Sequence, residues 1–147
     1  MDHQEIRFRI LYSLYQKHYS PELGHPQSIE QIISDAGLSS ISLNEIYGDV
    51  VYLEDKGFIK GQSALGYAYP LWISITSQGI DFVENIVNDV FEDIRKKHRT
   101  NVVYKFIKEL QNEGEHSNRV KKVVEHVQMN SNSWNKMMQL VKIRFYN

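Results

Sequence analysis

The chain has 147 residues, 41% hydrophobic and 24% charged, with a formal net charge of −1, enough for about one folded domain with an appendage. No run reaches the roughly 18 apolar residues a membrane span needs, and the polar residues between His3 and Arg9 leave no apolar leader, so a soluble, cytoplasmic protein is expected. The lack of cysteine removes disulfides, thiolate nucleophiles and Cys-ligated zinc together, and it fits a reducing compartment.

Ile6, Ile10 and Leu14, flanked by Phe8, Leu11 and Tyr15, recur at three-and-four spacing and predict a first helix over about 4–19. Ser20-Pro21 and His25-Pro26 bias the backbone away from the helical region, so a loop follows. Ser28, with Gln31 three residues on, is a capping pair for a short second helix whose core face is Ile29, Ile32 and Ile33 and whose exit is Gly37. Ser42 and Glu45 repeat the capping pattern for a third helix. Its inward row is Leu43, Ile46, Val50 and Leu53, which turns Asn44, Glu45, Tyr47, Gly48, Asp49 and Tyr52 outward. Gly48 in mid-helix costs about 1 kcal/mol relative to alanine, a cost consistent with close approach by a partner or by the second helix.

Gly57 ends that helix and a strand follows over 58–61. Leu71, Ile73 and Ile75 alternate with Trp72, Ser74 and Thr76, as a half-buried partner strand requires. The two strands make a β-ribbon, with residues 62–70 as the connection between them. A fourth helix opens near Ser77 or Gln78. Along it Ile80, Val83, Val87, Val90 and Ile94 keep a three-four spacing, and Phe82, Ile86 and Phe91 widen the stripe. A stripe that wide needs a second covering surface. Val103, Phe106, Ile107 and Leu110 predict a further helix ending at Gly114, with a loop over 114–118. Val120, Val123, Val124 and Val127 then mark another helix, and Trp134, Met137, Met138, Val141 and Phe145 the last one, after 131–133.

The small net charge hides an asymmetry. Up to Ile86 five Lys and Arg face eleven Asp and Glu, a balance of −6; from Val87 onward twelve basic residues face seven acids, a balance of +5, densest at Arg95, Lys96, Lys97 and Arg99. A basic half attracts polyanions or an acidic partner, including the acidic half of a second copy.

Leu53, Lys56, Gly57, Phe58 and Ile59 at the end of the third helix, followed by Thr76 and Gly79 at the start of the fourth, give the chain a resemblance to the small prokaryotic winged helix-turn-helix transcriptional regulators over about 5–88. These motifs encode turns and packing and carry no chemistry. The resemblance implies a mainly α fold with a small β-ribbon: a winged-helix domain over 1–88 and a helical extension over 89–147 that serves as dimerisation element. It implies duplex DNA as partner, with the helix over 43–56 in the major groove and the wing, 62–69, against backbone or minor groove. The residues it places at DNA are Ser42, Asn44, Glu45, Tyr47, Gly48, Tyr52 and Lys60; apart from the resemblance, the charge of the basic cluster Arg95, Lys96, Lys97 and Arg99 suits phosphates flanking such a site or a single strand. The homodimer would be held by Val83, Val87, Val90, Ile94, Val103, Phe106 and Leu110.

The chain departs from the family in charge: the first two turns of the third helix hold no Lys or Arg, and the wing has no cation beyond Lys60, although phosphate attraction normally dominates affinity. Guanine readout by Arg or Lys is therefore impossible from those turns, and Asn44 to adenine and Glu45 to cytosine are what they offer. The alternative is a winged-helix protein-interaction module without DNA binding, using Tyr47, Tyr52, Tyr67, Tyr69 and Trp72 as an aromatic patch, while the basic cluster is a solvated helix end favoured by the macrodipole. His18 with His25, and His116 with His126, lack the register of a helical metal site, so no metal or other cofactor is expected. Glu45 and Asp49 read as solubilising carboxylates, and without a nucleophile or phosphate loop beside them no enzyme is expected.

Overall fold

The computed structural model describes residues 1–21, 26–63, 65–66, 68–97 and 100–146. Its elements run α1 (His3–His18), β1 (Gln27–Ser28), α2 (Ile29–Asp35), α3 (Leu43–Asp55), β2 (Ile59–Gln62), β3 (Trp72–Ile75), α4 (Ser77–Lys97), α5 (Asn101–Gln111), α6 (His116–Gln128) and α7 (Ser131–Tyr146). They divide into two compact units, Met1–Val83 and Glu84–Asn147, so the division falls inside α4, five residues before the boundary expected from sequence.

In unit 1, α1 is the spine. Ile6, Phe8, Ile10, Leu11, Leu14 and Tyr15 are all buried, and α1 packs on α2, α3 and β3. Burying side chains of this size is worth roughly 1.5–3 kcal/mol each, which fixes a helix whose own pattern is only partly amphipathic. Asp2 caps it by accepting from the Glu5 N–H. Ser28 and Ser42 cap α2 and α3 as expected, accepting from the Gln31 and Glu45 N–H. The Gln31 side chain, however, reaches forward to Asp35.

The sheet has three strands in the order β1-β3-β2, both pairings antiparallel, one strand more than the ribbon expected. The addition is the dipeptide Gln27–Ser28, opposite Ile73 and Trp72, too short to show any alternation in sequence. On β3, Ile73 is buried and Trp72 exposed, as the alternation required. The element order with this sheet is the winged helix-turn-helix arrangement.

Two glycines hold the wing strands to α4. Gly57, at φ +79°, makes the left-handed turn out of α3 that an L side chain resists. Gly79 lies so close to β2's entry that a Cβ would overlap the Phe58 carbonyl oxygen and Ile75 Cγ1. Thr76 completes the joint, its hydroxyl donating to the Gly57 carbonyl at 2.6 Å and accepting from the Gly79 N–H at 3.2 Å. The motif of Lys-Gly and Thr-x-x-Gly is thus one local packing device.

Unit 2 is all helical. Ile86, Val87, Val90 and Ile94 of α4, Val103, Phe106 and Leu110 of α5, Val120, Val123, Val124 and Val127 of α6 and Met137, Val141 and Phe145 of α7 are buried. The expected loop over 114–118 is shorter, since α6 already opens at His116. Asn130, in the same way, starts α7 before the expected position by accepting from the Ser133 N–H through its side chain.

Candidate nucleic-acid interface

Ile46, Val50 and Leu53 bury one side of α3 as expected, but two positions depart from the expected faces. Leu43, expected inward, is 57% exposed, because it is the first residue of the helix and the buried row begins one turn later. Asp49, expected outward, is 1% exposed. Its carboxylate accepts from Arg7 Nε at 2.8 Å and from His3 Nδ1 at 2.9 Å, so two residues one turn apart on α1 grip one carboxylate on α3. Its spacing was a usable signal: Asp49 stands three residues after Ile46 and four before Leu53, inside the buried row.

Arg7 has a second contact, its guanidinium carbon lying 3.5 Å from the centroid of the Tyr52 ring, with Lys56 Nζ 5.7 Å from the same ring. A cation on a tyrosine face is attracted by the ring quadrupole. Tyr52, expected to touch DNA, is therefore half-buried and its ring is engaged by α1.

What α3 presents outward in its first two turns is Leu43, Asn44, Glu45 and Gly48, all exposed, and half-buried Tyr47. A Cβ on Gly48 would meet nothing within 4 Å, so the second helix does not explain this glycine. Tyr47 stacks on Tyr69 from the connection between β2 and β3, centroids 4.7 Å apart and planes 14° apart, which ties the outward face of α3 to that connection. Glu54 Oε2 accepts from the Gly61 N–H at 2.8 Å and holds β2 from α3's last turn. Lys60 is exposed on β2, as is Ser42 at the helix cap. Leu65, at the wing tip, is fully exposed, and Trp72 is 49% exposed. Tyr67 and His25 lie outside the described residues.

The basic cluster belongs to unit 2. Arg95 pairs with Glu92 and Lys97 with Asp93, both at 2.7 Å on α4 itself, and Lys96 is exposed; Arg99 lies outside the described residues. Two of the cluster's three described cations are thus paired on α4 itself.

The seven residues assigned to the dimer contact are corrected by their burial. Val83, Val87, Val90, Ile94, Val103, Phe106 and Leu110 are each between 0% and 7% exposed in the single chain. The wide stripe does find its second surface, and it finds it within its own chain.

Among the described residues no group of three or more His, Asp or Glu is placed to hold a metal ion, and no helix is long and apolar enough to cross a membrane. No family model, curated protein or solved structure matches the chain. The functional reading therefore rests on the topology and on the residues of α3 and the wing.

Proposed function

We propose that unit 1 binds duplex DNA with α3 as its reading helix, in the manner of a winged-helix transcriptional regulator. The observation that carries this reading is the withdrawal of Asp49. With that carboxylate buried on Arg7 and His3, the outward face of the first two turns holds one acid, Glu45, beside Asn44, Tyr47 and the open surface over Gly48. An asparagine amide there matches adenine N6 and N7, and Glu45 accepts from cytosine N4. Lys56 and Lys60, exposed at the far end of α3 and on β2, suit backbone phosphates, which position the protein without reading sequence.

Self-association of such a regulator would have to use residues other than the buried rows, and Val102, Tyr104, Ile143 and Tyr146 are exposed apolar side chains of unit 2. A second reading has its own support. Leu43, Leu65 and Trp72 are exposed, Tyr47 and Tyr69 are stacked, and such side chains suit a protein partner better than a phosphate backbone.

Selection from random duplexes at about 50 mM salt, where even weak phosphate contacts register, separates the two. The DNA reading expects an enriched motif and, for Asn44→Ala, a loss of discrimination of roughly 1–3 kcal/mol at one base pair. No motif and no retention of nonspecific duplex would sink it and leave the interaction module.

A further inference from the structure

Unit 2 contains a cavity of about 300 Å³ between α4, α5 and α6, at the small end of the range that holds organic ligands. Its apolar wall is made by Val87, Phe91, Leu110, Val120 and Val123, four of which are buried. Ionised groups stand around this wall, and their pairing is uneven. Glu84 lies 3.2 Å from His116 Nε2, and Glu92 lies 2.7 Å from Arg95, so both acids of the lining are met by nitrogen donors.

Arg119 is different. Its Nε donates to the Leu110 carbonyl at 3.1 Å, a neutral acceptor that holds the guanidinium against the last turn of α5. Among the described residues no carboxylate pairs with it. The terminal NH₂ groups of a guanidinium form a fork matched to a carboxylate, and Arg119, an exposed residue, is among those lining this largely apolar hollow.

We propose that this cavity binds a small organic monoanion, an apolar body carrying one carboxylate, with the carboxylate on Arg119 and the body against Val87, Leu110 and Val123. A cation is disfavoured because Glu84 and Glu92 are already partnered, and a neutral molecule of the same shape leaves Arg119 unmatched. The site contains no residue of α3, and it stands or falls independently of what unit 1 binds.

Octanoate, octanol and octylamine, below micelle formation, are suitable probes of charge at constant shape. Titrated into the ¹⁵N-labelled full chain, octanoate should give saturable amide shifts centred on the cavity wall. Its dissociation constant should be at least tenfold lower than that of octanol or octylamine, and at least tenfold higher for Arg119→Met. Ile107→Trp, on the half-buried rim, should abolish the shifts by filling the hollow, and Gln111→Trp, at an exposed lining position, does the same if the first variant fails to fold. Absence of a saturable shift, a preference under tenfold, Arg119→Met binding as tightly as the parent, or shifts that survive the folded filling variant would each overturn the proposal.

Discussion

Unit 1 takes a carboxylate out of water and spends two side chains of α1 on it, whereas unit 2 keeps its paired carboxylates at the rim. Asp49 has a side chain only 2% exposed; Asp89, Glu92, Asp93 and Glu113, paired with Arg144, Arg95, Lys97 and Lys122, have side chains 21–39% exposed. The difference separates two ways of fixing a helix. In unit 1 a buried ion pair joins α3 to α1, beside the buried apolar row Ile46, Val50 and Leu53. In unit 2 rows of valine and isoleucine set the helix positions, and the surface pairs decorate them. Each unit holds one of the two tryptophans, Trp72 and Trp134, so single-tryptophan variants place one probe in each unit.

The largest effect should come from breaking the interior grip. Asp49→Ala leaves Arg7, whose side chain is 15% exposed, as a nearly buried cation without its carboxylate, and such losses cost about 3 kcal/mol or more. In a Trp134→Phe background, urea unfolding followed by Trp72 should register this loss. The paired replacement Arg7→Met with Asp49→Leu should recover most of it, because apolar groups of similar volume need no partner. A loss under about 1 kcal/mol for Asp49→Ala would mean that the grip is not what positions α3.

Unit 2 should respond in the opposite sense. Val124→Ala removes two methyl groups from a fully buried position and should cost about 2 kcal/mol, from roughly 0.8 kcal/mol per buried carbon and the space left behind. Asp89→Asn, which removes the Arg144 pair at the surface, should cost less than about 1 kcal/mol. Trp134 in a Trp72→Phe background reads both. If the surface pair cost more than the valine, the contrast between the units would fail.

How far the sequence revealed this follows from the same contrast. Apolar periodicity located every helix of both units, because Ile6, Ile46, Val87 or Val123 can satisfy burial in only one way. The capping serines and Gly57 marked helix ends for an equally local reason. Asp49 has the spacing of the buried row, but a carboxylate is buried only where partners meet it, and Arg7 and His3 stand more than forty residues away in sequence. The covering of the α4 stripe by α5–α7 was misplaced for a related reason: period shows that a face needs a partner, and nothing local says whether that partner is the same chain. β1 escaped notice because two residues carry no period. Of the candidate site, Asn44, Glu45, Gly48 and Lys60 were legible as exposed positions, whereas the Tyr47–Tyr69 stack joins elements whose approach no spacing encodes.

A smaller effect is expected at the joint between α3 and the wing. Gly57→Ala must hold a side chain at φ +79°, at about 1 kcal/mol, with the Gln78 side chain able to swing aside. Trp72 should report the loss and Trp134 should not. An equal change in both reports would show that the joint is not local to unit 1.

The smallest effect tests the surface pairs through pH. Glu113 is held below the usual carboxylate range first by the hydrogen bond from Lys122, with that lysine's charge and the Asn118 amide adding to the shift and desolvation opposing it. A lowered folded value means that the unfolded chain binds the proton more readily. The contribution to stability is therefore whole above the ordinary glutamate value of about 4.3, and it is lost as pH falls through the lowered one. Glu113→Gln should flatten the acid side of the stability profile of unit 2, read by Trp134, and leave the Trp72 profile of unit 1 unchanged. Added salt should shrink the difference between parent and variant, since the pair lies open to solvent and is screened. A parent and variant with the same slope below about pH 4.5 would show that even this pair is ornamental to the fold, and that the valine rows alone carry unit 2.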